Sequence, residues 1–129
     1  MNFRYTILYA DDVPASLDFF ARAFGFTIGF MHEGQDYGEL VTGTTKLAFA
    51  ATSLQRDLGK TPLAATASTP TFELAFETDD VAAAVEQAVA AGARLVQAAH
   101  QQPWGQTSAY VSDPNGYLIE LCSPVTPPG

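Results

Sequence analysis

Apolar and polar positions alternate in short runs along most of the chain, and twice the period changes to a helical one. Arg4–Ala10 (Arg-Tyr-Thr-Ile-Leu-Tyr-Ala) is β-branched and aromatic and predicts a strand with Tyr5, Ile7 and Tyr9 on one face. Asp11-Asp12-Val13-Pro14 stops it, with Asp12 as the expected N-cap and a proline in the first helical turn. Pro14–Phe24 then carries Leu17, Phe20 and Phe24 at helical spacing, and Gly25 closes it. Phe26–His32, Tyr37–Thr42 and Thr45–Ala51 read as three more strands, divided by turns at Glu33–Asp36 and Gly43-Thr44. Ser53–Pro70 breaks the pattern with Gly, Pro and small residues, and predicts a connector holding at most a short helical turn. Beyond it come a strand over Thr71–Thr78, an alanine-rich helix over Val81–Ala91 ended by Gly92, and a strand over Arg94–Ala98. His100–Gly105 reads as a loop, and Gln106–Val111 and Tyr117–Cys122 as a hairpin across Asp113-Pro114-Asn115-Gly116.

The two halves repeat. Asp11-Asp12-Val13 recurs as Asp79-Asp80-Val81 at an offset of 68, and the same offset brings Leu17 onto Val85 and Tyr5 onto Glu73. Each half runs strand, helix, strand, strand, strand, and neither alone buries both faces of its sheet. The predicted fold class is α+β. Two tandem βαβββ modules form a cupped mixed sheet with helices on its outer face. Module one spans about 3–52, the connector about 53–70 and module two about 71–125.

Composition narrows the partners. In 129 residues, 47% hydrophobic content is enough for one real core, and 9 Phe, 5 Tyr and 1 Trp make that core or a pocket aromatic. Formal net charge is −8 with 6 basic residues, which argues against a nucleic-acid surface, since phosphate contacts need clustered Lys and Arg. One cysteine excludes an intrachain disulfide. Residues 1–10 lack the pattern of a signal peptide and no apolar run approaches membrane length, so a cytoplasmic protein is expected.

The last strand poses the chemical question. Alternation puts Leu118, Glu120 and Cys122 on one face and Ile119 and Leu121 on the other. The second face is core. A carboxylate on the first either looks into a cavity or needs a partner.

Several stretches together resemble the vicinal oxygen chelate superfamily, which includes glyoxalase I, bleomycin-resistance proteins, fosfomycin-resistance enzymes and extradiol dioxygenases. They are Leu8–Val13 with Ser16–Phe20 and Phe24-Gly25-Phe26, Glu73–Val81, Gly92-Ala93, Pro103-Trp104-Gly105, and Asp113–Gly116 followed by Ile119-Glu120. The resemblance implies paired βαβββ modules and a homodimer. In metal-dependent members, ligands come from the first and fourth strands of each module, positions that fall here on Tyr5, Ala48, Glu73 and Glu120. Glu120 matches a carboxylate ligand and is the best candidate for a catalytic group. Glu73 and Tyr5 stand where histidines are typical, and Ala48 offers no donor.

Divalent first-row metals favour imidazole with carboxylate, yet the only histidines, His32 and His100, lie outside those strands. Any metal would therefore rest on Glu73 and Glu120, and no cofactor is expected. If Glu73 faces the cavity so does Glu77, while Phe72, Leu74 and Phe76 turn to the helix. The cavity set is then Tyr5, Tyr9, Lys46, Glu73, Glu77, Tyr110, Glu120 and Cys122. Two neighbouring acids repel unless a cation lies between them, and aromatic walls favour a cation or a planar ring. The expected function is capture of an aromatic or cationic small molecule, as in antibiotic resistance of the bleomycin type. The ligand contacts would be Tyr5, Tyr9, Lys46, Glu73, Trp104, Tyr110 and Glu120. The alternatives are a metal-dependent lyase, isomerase or dioxygenase, and a structural module without a small ligand, its acids paired with Arg4, Lys46 or a tyrosine hydroxyl.

Overall fold

The computed structural model describes residues 1–125. The chain divides into two units, residues 1–63 and residue 64 onwards. In the first, strand β1 (Tyr5–Ala10) leads into helix α1 (Val13–Phe24), then β2 (Ile28–Met31), β3 (Tyr37–Leu40), β4 (Lys46–Ala51) and the short helix α2 (Thr52–Asp57). Its four strands lie in the order β1-β4-β3-β2, with β1 and β4 parallel and the rest antiparallel. The second unit repeats this: β5 (Leu74–Glu77), α3 (Val81–Ala90), β6 (Arg94–Gln101), β7 (Thr107–Ser112) and β8 (Leu118–Cys122), ordered β5-β8-β7-β6 with β5 and β8 parallel. Two four-stranded mixed sheets, each with its helices, make the two-module α+β arrangement expected from the repeat. No helix among the described residues is long and apolar enough to cross a membrane.

Both long helices begin in the same way. Asp12 Oδ1 accepts from the Ala15 N–H at 3.0 Å, and Asp80 Oδ1 accepts from the Ala83 N–H at 3.0 Å. The paired acids are thus helix starts, satisfying amides that the first turn leaves open. Helix α1 buries Val13, Leu17, Phe19, Phe20 and Ala23. The Phe20 ring meets Phe24 and Phe49 edge to face, at centroid distances of 5.2 and 5.0 Å. Gly38 on β3 lies under Leu17 of α1; a Cβ there would run into Leu17 Cδ1 and stand 3.1 Å from the Phe30 carbonyl oxygen. In the second unit α3 buries only Val81 and Ala88, over a sheet underside of Ala109, Val111, Ile119 and Leu121.

The β7–β8 turn forms around a buried acid. Asp113, 4% exposed, accepts from the N–H groups of Asn115 and Tyr117 at 3.1 and 2.7 Å, and burial pushes its carboxyl up while these bonds pull it down. Gly116 alone in this turn adopts the left-handed region, at φ 94°, and a Cβ on it would collide with the Ala65 carbonyl.

Several boundaries differ from expectation. The connector opens with α2, whose Gln55 is buried and accepts a hydrogen bond from Lys60 Nζ. Strand β5 starts at Leu74, so Glu73 stands just before it, and Phe72 is 48% exposed, its ring 5.9 Å from that of Tyr117 instead of under the helix. Strand β6 runs to Gln101 through two register shifts, so His100 lies in a strand and not in a loop.

Candidate functional site

In each sheet one face meets the long helix; the other, the open face, carries exposed side chains such as Tyr5 and Ile7 beside buried ones such as Ala48, Ser108 and Cys122. Side chains of paired residues in neighbouring strands share a face, so the register assigns the open ones. In the second sheet Ala75 pairs with Glu120, and Glu120 with Tyr110; the next rung joins Glu77, Cys122 and Ser108. In the first, Ile7 pairs with Ala48, and Ala48 with Glu39. Ile7 and Ala75 are 68 positions apart, so Ala48 and Glu120 occupy equivalent places.

The acidic cluster lies in the second unit. The Tyr110 hydroxyl donates to Glu120 Oε2 at 2.9 Å and interacts with Glu73 as well. Burial, the bond to Glu120 and the charges of both acids push the Tyr110 phenol up to about 12. Glu73, although solvent reaches it, is pushed above its ordinary value of 4.5, first by partial burial and then by the Glu120 charge, while Tyr110 pulls it down. The phenol gives its one proton to Glu120, and Glu73 stands near enough for both to shift it. The ion pairs found among the described residues, Arg22 with Asp18 and His32 with Asp36, lie in the other unit, so neither Glu73 nor Glu120 has a Lys or Arg partner there. Beside them the Cys122 thiol is buried, donates to the Phe76 carbonyl at 3.7 Å, and is pushed up by burial and by Glu120. Both effects disfavour the thiolate, the nucleophilic form.

The other candidates are divided between the two units. Tyr5, Tyr9 and Lys46 lie on the open face of the first sheet. There Tyr5 is 45% exposed with the Arg4 guanidinium 6.0 Å from its ring centre, and Lys60 Nζ stands 5.7 Å over the Tyr9 ring. Both rings thus already face a cation of their own chain. Trp104 sits on the β6–β7 loop, 63% exposed, its indole N–H donating to Gln106 Oε1 at 2.9 Å. No hydrogen bond or ring contact joining it to Glu73, Tyr110 or Glu120 is found among the described residues.

A second tyrosine–acid pair was not anticipated. The Tyr37 hydroxyl donates to Glu39 Oε2 at 2.7 Å, with burial first and Glu39 second pushing the phenol well above its ordinary value. The Phe30 ring lies 6.4 Å away. Alternation across Tyr37–Thr42 carries the signal, because Gly38 and Leu40 are the buried positions and Glu39 must face the open side.

This donor set lacks the imidazole that Zn, Ni, Cu and Fe sites favour. Glu73 and Glu120 supply hard carboxylate oxygen alone, and His100 turns Nδ1 towards the Ala98 carbonyl at 3.2 Å. Among the described residues no three His, Cys, Asp or Glu side chains are grouped so as to hold an ion.

Comparison with known proteins gives a consistent picture. The family model described as Glyoxalase/Bleomycin resistance protein/Dioxygenase superfamily matches residues 2–121. No curated protein matches the chain in sequence. Among solved structures, a glyoxalase-related enzyme from Fulvimarina pelagi is 26% identical, with a TM-score of 0.83 over 96% of this chain and 88% of that one. A glyoxalase/bleomycin resistance protein/dioxygenase family enzyme from Burkholderia phytofirmans PsJN is 23% identical, with a TM-score of 0.79 over 98% of this chain and all of that one, and shares the fold. TioX from Micromonospora sp. ML1 is 24% identical, with a TM-score of 0.72 over 95% and 98%.

Proposed function

Since the chain belongs to the glyoxalase/bleomycin resistance protein/dioxygenase superfamily, we propose that it binds a small organic cation on the open face of its second sheet, without a tightly bound metal and without transforming the ligand. The observation that supports this reading is the cluster of Glu73, Tyr110 and Glu120. Two mutually repelling carboxylates lie beside one phenol, which donates to Glu120, and no Lys or Arg among the described residues pairs with either acid. A protonated amine entering there would relieve their repulsion and take up their free acceptor positions, and the Tyr110 ring would give a planar ligand a face to lie on. Sequestration needs only affinity. Tyr5, Tyr9, Lys46 and Trp104 are not required by this reading.

A homodimer is proposed alongside it, supported by the exposed Tyr5, Ile7, Phe30 and Val41 of the first unit and checked by light scattering. The test of function is a thermal-shift screen of aromatic amines against Zn²⁺, Ni²⁺, Mn²⁺ and Fe²⁺. Binding to the folded state alone raises the melting point. The expected result is a shift with amines, reduced in Glu120→Gln, and none with metals. A stoichiometric metal lost in Glu120→Gln would favour a metal-dependent enzyme instead, and no shift with any probe would favour a module without a small ligand.

A further inference from the structure

A cavity of about 300 Å³ opens in the second unit and is lined by Thr66, Ala67, Ser68, Arg94, Leu95, Val96 and Ser112. None of the carboxylates of the amine site contributes to it. Ser112 pairs with Arg94 across β6 and β7, two residues beyond Tyr110 on β7. The segment carrying Thr66 and Ser68 is held against the β7–β8 turn, where Gly116 leaves room for the Ala65 carbonyl.

The chemistry here is opposite to that of the rest of the unit. Arg94 is the only Lys or Arg from residue 64 to the end of the sequence, against seven Asp and Glu. No acid lines the cavity, and Arg94 has no ion-pair partner among the described residues. Three hydroxyl side chains stand around it. Ser112 is 5% exposed, and no hydrogen bond of its hydroxyl is found among the described residues. Among the described residues the enclosed hydroxyl without a partner is that of Ser108, so the Ser112 oxygen is accessible, and a polar group in the cavity can meet it. An oxyanion supplies one, accepting from the guanidinium fork and from the hydroxyls together. Leu95 and Val96, 46% and 47% exposed, add apolar wall.

We propose that this cavity is a binding site for a small organic carboxylate, its charged end on Arg94 and Ser112 and its apolar body against Leu95 and Val96. A single cation with apolar walls favours a carboxylate over inorganic phosphate, which has no apolar part to bury. The inference does not depend on the amine site, and its test reads other residues.

The experiment is a titration of the full chain with benzoate and, separately, with inorganic phosphate, followed by ¹⁵N–¹H NMR. Benzoate is expected to give saturable shifts at residues 66–68, 94–96 and 112, and to bind more tightly than phosphate. Arg94→Gln is expected to weaken benzoate about tenfold or more, the effect of losing a hydrogen bond to a charged group. Arg22→Gln, which removes the same charge from α1 in the other unit, is expected to leave it unchanged. Ser112→Ala, expected to weaken binding several-fold, gives a second reading if Arg94→Gln folds poorly. Shifts centred elsewhere, no saturable binding, equal losses in Arg94→Gln and Arg22→Gln, or phosphate binding as tightly as benzoate would each overturn the proposal.

Discussion

The two modules share one backbone plan and put different chemistry on it. On the open face of the first sheet, the first-strand position holds Tyr5, the fourth-strand position Ala48 and the third-strand position Glu39; in the second sheet these are Glu73, Glu120 and Tyr110. Each module builds a tyrosine–acid hydrogen bond, but by a different route. Tyr37 reaches Glu39 along one strand, whereas Tyr110 reaches Glu120 across two and meets Glu73 as well. One acid against one phenol is locally satisfied. The neutral phenol cancels no charge in either case: Glu39 shares its face with Lys46, whereas Glu73, Glu77 and Glu120 outnumber Arg94 on the second face, which therefore carries the surplus. The cores differ in the opposite sense: α1 packs interlocking phenylalanines, while α3 packs alanine and valine closely against the sheet. The first module therefore carries much of its stability in aromatic contacts, and the second carries the charge.

The core contrast can be broken most sharply at Phe20. Phe20→Ala removes a fully buried ring from the α1 cluster and is expected to cost about 3–5 kcal/mol by urea denaturation. In the second module the damaging change is the reverse one, since Ala88→Leu overfills a buried site and is expected to cost about 1–3 kcal/mol. A Phe20→Ala loss below that of Ala88→Leu would remove the contrast. Next in size is Gly116→Ala. It forces a left-handed backbone onto alanine and pushes Cβ into the Ala65 carbonyl, so a loss of about 2–3 kcal/mol is expected in the same assay.

A smaller effect sharpens the charge contrast. Glu73 titrates above 4.5, so as pH falls towards that value it takes up a proton and the surplus charge goes. Benzylamine stays protonated across this window. Its affinity is therefore expected to fall as pH drops from neutrality through the Glu73 pKa, and calorimetry at a series of pH values checks this. In Glu120→Gln the Glu73 carboxyl loses a repelling neighbour, so any remaining pH-dependence should move to lower pH.

Much of the fold was legible because its signals are local. Asp12 and Asp80 announce helix starts, Gly25 a helix end, Asp113–Gly116 a hairpin, and alternation alone separates Glu120 from Ile119 and Leu121. Less was legible where the cause is non-local. Strand β6 outruns its pattern because two register shifts let its pairing with β7 continue to Gln101. Tyr9 was expected to contact a ligand, yet Lys60, far along the chain, comes to lie over its ring. Tyr110 was placed on the ligand face by alternation, but its bond to Glu120 and its nearness to Glu73 depend on where β8 and the entry to β5 bring the two acids. Glu39 lay within reach of the argument applied to Glu120. The buried Gly38 and Leu40 on either side of it assign its face, and the packing of Gly38 under Leu17 shows why.

The central claim is that surplus charge on the second open face, and not the tyrosine–acid motif as such, captures a cation. Titration of benzylamine into Glu120→Gln and Glu39→Gln tests it directly, because both variants remove one carboxylate from a tyrosine–acid pair. The account predicts about a tenfold loss of affinity in Glu120→Gln and none in Glu39→Gln. Equal losses in the two variants, or a loss confined to Glu39→Gln, would contradict it.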